Sequence, residues 1–234
     1  MLLSIHPELL RGMRASTPLL LVIGPFGLLF GVAGTQAGLN IAEVLGFTVL
    51  VIAGASQFTA VQLLADQAPT IIALVTALAV NLRMAMYSAA LTAHFGSVPL
   101  WIRLIAAYGM VDQAYALSVV EFERRPALTP MDKAAFYIGS FLTLAPCWYL
   151  SALAGVLFGN TIPASLSLDF AMPVTFIALV APALRSLPHT VAALVSVTLA
   201  LLLVDIPYSL GLLVAAIAAM CAGAGCELLL AKRR

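Results

Sequence analysis

The chain has 234 residues, of which 63% are hydrophobic and 9% charged, with a net charge of +1. A soluble domain carries about 25% charged residues, so these polar side chains cannot clothe a water-soluble fold. The mean hydropathy of +1.09 makes the bilayer the fitting solvent. The small net charge gives no basis for binding nucleic acid or an acidic partner.

Arg11 and Arg14 precede an apolar run from Ser16 to about Gly38. That run is too long for the core of a signal peptide, and no small-residue cleavage motif follows, so it reads as a retained first span. A helical crossing needs about 20 apolar residues. Eight segments qualify, at about 16–38, 44–65, 70–92, 101–122, 134–159, 164–184, 189–204 and 206–230. The seventh is short, which leaves six to eight crossings open, with one segment re-entrant. The runs are continuous rather than alternating, which excludes membrane β-strands. Backbone groups in lipid must bond internally, so the segments are helices. The expected fold is an all-α integral membrane bundle of about eight transmembrane helices, some broken at Gly or Pro, in one membrane domain over residues 1–234.

With eight crossings, one side holds Arg11, Arg14, Arg124, Arg125, Lys133, Arg185, Lys232, Arg233 and Arg234, while the other holds only Arg103. The positive-inside rule then puts both termini in the cytoplasm. Dropping the seventh crossing would put the final Lys-Arg-Arg outside. The connections are short, the longest running from Glu123 to Lys133, and no P-loop is present. Transport driven by this chain's own ATP hydrolysis is excluded on that ground. The fifth segment faintly echoes the first, an internal repeat that would give parallel halves.

Polar groups inside the spans carry the functional signal. The first span has Gly24, Gly27, Gly31, Gly34 and Gly38 at helical spacing, with Pro25 among them. One reading is a helix broken at Pro25 whose free backbone lines a cavity. The other is a smooth face for close helix packing. In the second span Gly54, Ser56, Gln57 and Gln62 either bond across helices or, for Gln57, touch a substrate. Arg83 lies near the centre of the third span, where a charge costs about 2.5–3.5 kcal/mol. Tyr87 and His94 follow it on one helical face.

Asp112 lies at matching depth in the fourth span, flanked by Tyr108 and Tyr115. An Arg83–Asp112 pair is expected if the two helices are antiparallel neighbours. It would serve either as a register clamp or as a site for a zwitterion or proton. In the sixth span Asp169 reads as a helix cap and Pro173 as a kink. Cys147, Cys221 and Cys226 read as small interior residues, not a disulfide framework. No metal-ligand spacing is present. No nucleophile–base set emerges, since His94 and His189 lie near span ends, far in depth from Ser56. No enzyme, metal or cofactor is expected.

These motifs together resemble the AzlC-type large subunits of branched-chain amino acid exporters, the azaleucine-resistance family. The similar stretches are Pro25-Phe-Gly-Leu-Leu-Phe-Gly31, Gly54-Ala-Ser-Gln57, Arg83-Met-Ala-Met-Tyr87, Val111-Asp-Gln-Ala-Tyr-Ala116 and Leu168-Asp-Phe-Ala-Met-Pro173, in that order. The chain departs from the family pattern at Gln113, where an acidic residue is expected. The resemblance implies proton-coupled export of valine, leucine and isoleucine across a bacterial inner membrane, with a small AzlD-type membrane subunit as partner. On that reading Pro25, Gly27, Gly31, Gln57, Arg83, Tyr87 and Asp112 bind substrate. Arg83 would take the carboxylate, and Asp112 the ammonium or the coupled proton. The rivals on the same residues are an ion or small-solute channel and a non-transporting membrane partner protein.

Overall fold

A computed structural model describes residues 6–158, 184, 186–206 and 210–232. Among the described residues every regular element is a helix, in keeping with an integral membrane bundle. The chain opens with α1 (Pro7–Ser16), whose apolar and polar residues segregate to opposite faces. A short 3-10 turn, Thr17–Leu19, leads into α2 (Leu20–Gln36). Then come α3 (Ile41–Leu50), α4 (Gly54–Ala65), α5 (Thr70–Phe95), α6 (Leu100–Tyr108), α7 (Asp112–Arg124) and α8 (Pro130–Phe158). The chain closes with α9 (Leu187–Leu202) and α10 (Leu210–Ala231).

Among the described residues four stretches are long and apolar enough to cross a membrane: Pro7–Gln36, Thr70–Phe95, Pro130–Phe158 and Val214–Ala231. Two apolar helices, Ile41–Leu50 and Leu187–Leu202, are shorter. The seventh expected segment is thus a helix of 16 residues. The sixth, 164–184, with Asp169 and Pro173, lies outside the described residues apart from Leu184.

Where the helices break differs from expectation, and the difference shapes the site. Pro25 lies inside an unbroken α2 and Pro146 inside an unbroken α8. The second expected span instead splits at residues 51–53 and the fourth at residues 109–111. Ile52 turns the chain with a φ of +45°. This left-handed conformation is a true outlier for a β-branched residue, and such strain persists only where surrounding packing fixes it. Gly109 ends α6 against the ring of Phe141, which leaves no room for a side chain.

Glycine explains why α2 stays whole. At Gly31 a Cβ would fall on the Ala152 carbonyl oxygen and 2.8 Å from the Val156 nitrogen. At Gly155 it would meet the Leu28 carbonyl, and at Gly27 it would lie 3.1 Å from the Trp148 ring. Small residues thus let the two backbones touch, the close-packing reading of the stripe. The contacts run in register: His6 meets Asp132, Met13 meets Thr143, Gly24 meets Cys147 and Gly31 meets Ala152. The Pro7–Gln36 helix and α8 therefore lie side by side and parallel. Their shared core contains Phe26, Phe30, Phe136, Tyr137 and Trp148.

At the other end of α8 an ion network ties α1 to the end of α7. Arg125 donates to both carboxylate oxygens of Glu8, at 2.7 and 2.9 Å, and Arg11 reaches Glu121 at 2.9 Å. Helices α9 and α10 pair as an antiparallel hairpin, with Gly211 against Leu203 and Gly223 against Ala192. Cys147 and Cys226 are half-buried, whereas Cys221 lies on an exposed face rather than inside.

Candidate functional site

Asp112 is not in mid-helix. It is the first residue of α7, placed there by the break at residues 109–111, and its carboxylate sits at the positive end of that helix. The same break takes Tyr108 away from it. Tyr108 instead donates to the Val49 carbonyl at 2.9 Å and meets the Tyr149 hydroxyl at 2.9 Å. The expected pair forms, with Arg83 Nη2 3.1 Å from Asp112 Oδ2. Tyr87, one turn on from Arg83, donates to Asp112 Oδ1 at 3.0 Å. The Tyr87 ring stacks on Tyr115 at 4.0 Å, which fixes the hydroxyl's aim. His94 belongs elsewhere, 3.3 Å from Lys133.

The pair borders a cavity of about 250 Å³. Residues 52–55, at the α3–α4 break, form one wall, and residues 111–113, at the α6–α7 break, form another. The rest is apolar, from Ile23 and Phe26 of α2 and from Leu144 and Trp148 of α8. The polar groups therefore lie at one end of a hydrophobic pocket, the usual build of a small-molecule site. Gln113 also lines it.

Of the residues singled out in sequence, Arg83 and Asp112 line the cavity, and Tyr87 reaches it through Asp112. Gln57 lies one turn into α4, wholly buried, and neither of its amide atoms has a partner among the described residues. Gly27 and Gly31 face α8, and Pro25 faces outward beside Leu28 and Leu150. The cavity residues missed were Ile52, Ala53, Ala55 and Trp148. The Gly-Ala-Ser stretch did mark a place where backbone is approachable, and the tryptophan inside an apolar run marked a donor in need of an acceptor.

Arg125, just beyond α7 and outside the site, is held above the usual arginine range, chiefly by its hydrogen bonds to Glu8.

Comparison with known proteins agrees with the motif reading. The family model described as AzlC protein matches residues 18–162. A protein of Archaeoglobus fulgidus described as an uncharacterized membrane protein is 28% identical over 214 residues, covering 89% of this chain and 90% of its own. Inner membrane protein YgaZ of Escherichia coli is 26% identical over 121 residues, covering 49% of this chain and 47% of its own. No solved structure matches.

Proposed function

The chain belongs to the AzlC family, and from that premise we propose that this multi-pass membrane protein is a secondary exporter of branched-chain amino acids. Its setting is a bacterial inner membrane, with both termini cytoplasmic. It works by alternating access together with a small AzlD-type subunit, a partner assigned on family grounds. Valine, leucine and isoleucine are the substrates, and the proton is the coupling ion.

The observation that carries this reading is the Arg83–Asp112–Tyr87 cluster at one end of an apolar cavity between two broken helices. An aliphatic amino acid needs that combination: a charged end for its zwitterion and an apolar wall for its side chain. In this scheme Asp112 meets the ammonium, or carries the proton in the returning half-cycle. Arg83 balances Asp112 and makes the cavity favourable to a carboxylate. Tyr87 orients Asp112, and Gln57 holds an amide one turn into α4, unpaired among the described residues, as a reserve polar contact. Gly27 and Gly31 bring Trp148 into the wall by seating α2 on α8, and Pro25 shapes the outer face of the same helix.

The test is efflux of labelled valine from cells carrying Asp112→Asn or Arg83→Ala. Both variants should lose most transport while reaching the membrane at normal levels. Wild-type rates in both would remove these residues from the mechanism. Counterflow separates carrier from channel, because only a carrier is accelerated by unlabelled valine on the far side.

A further inference from the structure

The two broken helices treat their carbonyl and amide ends differently. Tyr108 donates to the Val49 carbonyl in the last turn of α3, and Tyr137 donates to the Gly109 carbonyl just beyond α6, at 3.1 Å. Each carbonyl end thus receives a tyrosine hydroxyl. At the amide ends, no side chain caps α4 or α7. Among the described residues the backbone N–H groups of Gly54, Ala55 and Ser56 have no acceptor.

The two starts also differ in charge. Helix α7 opens on Asp112, so its positive end already has a carboxylate. Helix α3 is closed by a reciprocal cap between Asn40 and Glu43. Helix α4 has neither a cap nor an acidic residue in its first turn. The turn is nevertheless largely enclosed, with Ala53 4% exposed, Ser56 fully enclosed, and Gly54 and Ala55 half-buried where they border the cavity. Leaving a buried donor unpaired costs about 1–3 kcal/mol each, so an empty buried helix start needs an explanation.

Trp148 supplies an independent one. It is 7% exposed, lines the same cavity, and has its ring 3.2 Å from where a Cβ on Gly54 would lie. Its indole N–H has no acceptor among the described residues, and an indole nitrogen can only donate. Gln57 adds a second unpartnered, buried side chain on the same turn. The uncapped helix start at Gly54 and Ala55 and the Trp148 side chain therefore line one cavity, together with Arg83, whose Nε also has no partner among the described residues. The missing group is an anion.

We infer that the start of α4 is the carboxylate subsite of this cavity: the N–H groups of Gly54 and Ala55, with the Trp148 indole N–H, receive the α-carboxylate of a free amino acid whose ammonium faces Asp112. The inference rests on the transport reading above and refines it, because Arg83 then stays paired to Asp112 and is not the direct carboxylate ligand. Gly54 has no side chain because Phe26, 2.8 Å from a Cβ there, and Trp148 close over that turn. The site would select free amino acids against their amides and esters.

The test is binding of labelled leucine to the purified full chain in lipid nanodiscs, displaced by leucine, by 4-methylpentanoate (carboxylate but no amine) or by leucinamide (amine but no carboxylate). In the wild type, leucine should bind and 4-methylpentanoate should displace it far better than leucinamide. Trp148→Phe keeps the ring and removes the donor. It should weaken 4-methylpentanoate about tenfold, the loss of one hydrogen bond to a charged group. The double variant Arg83→Gln/Asp112→Asn removes the ion pair as a unit and should retain the preference for acid over amide. That preference is a ratio read only from folded protein, so partial misfolding does not change it. Loss of the preference in the double variant, with Trp148→Phe unchanged, would assign the carboxylate to Arg83. That result overturns the inference and leaves the transport reading standing. Absence of leucine binding in the wild type overturns both.

Discussion

Replacing Gly31 by alanine puts a methyl group where α2 meets the backbone of α8. The new Cβ would land on the Ala152 carbonyl oxygen, 2.8 Å from the Val156 nitrogen and 2.9 Å from the Gly155 Cα. Comfortable contacts begin near 3.5 Å, so the two backbones must part by roughly an ångström. Overpacking typically costs about 1–3 kcal/mol. All three neighbours are backbone atoms that cannot rotate aside, which puts the cost at the upper end, about 3 kcal/mol. For a chain of this size that lowers the melting temperature by about 6–12 °C. Gly46→Ala is the matched control, because a Cβ there meets nothing within 4 Å. It should gain up to about 1 kcal/mol from helix propensity. Thermal unfolding of the purified variants in detergent, followed by circular dichroism, reads both signs. Gly31→Ala melting with the wild type would refute the close approach of α2 and α8. If that variant also lost transport, the glycine would be acting on substrate rather than on packing.

Tyr87→Phe removes the hydroxyl bonded to Asp112 and keeps the ring on Tyr115. Valine efflux should slow about tenfold or more, the worth of a hydrogen bond to a charged group, with unchanged membrane levels. Gln57→Leu replaces a buried amide that lacks partners with an apolar side chain of similar size. Thermal stability should rise by about 1 kcal/mol or more, while efflux falls if the amide contributes to the site; unchanged efflux would restrict Gln57 to packing. Arg125→Lys keeps the charge but loses the fork that grips both oxygens of Glu8. It should melt lower than the wild type. Because pairing raises the arginine's folded value, the cationic side of this link stabilises the fold below the ordinary arginine range and is lost only above it. The melting difference between wild type and Arg125→Gln should therefore persist from pH 7 to pH 10. Its disappearance over that interval would show that another group governs the contact.

Composition determined the solvent: a chain with 9% charged residues must bury its backbone in helices within lipid. The rarity of charge inside the spans picked out Arg83 and Asp112, because each is too costly to keep unpaired. Helical spacing placed Tyr87 beside Arg83. The glycine stripe left two readings open, and only the contact with α8 decided for packing, since spacing gives a face but not what it meets.

The breaks were misplaced for a related reason. Proline was the visible helix breaker, yet Pro25 is held straight by a long neighbour packed against it. The true breaks fall at Ile52, whose strained backbone is fixed by surrounding packing, and at Gly109, pressed on the Phe141 ring. Neither position is legible from local propensity, because both conformations are imposed by contacts distant in the chain. Tertiary structure alone therefore decided that Asp112 begins a helix, that Trp148 borders its cavity, and that the uncapped start of α4 at Gly54 and Ala55 lines it.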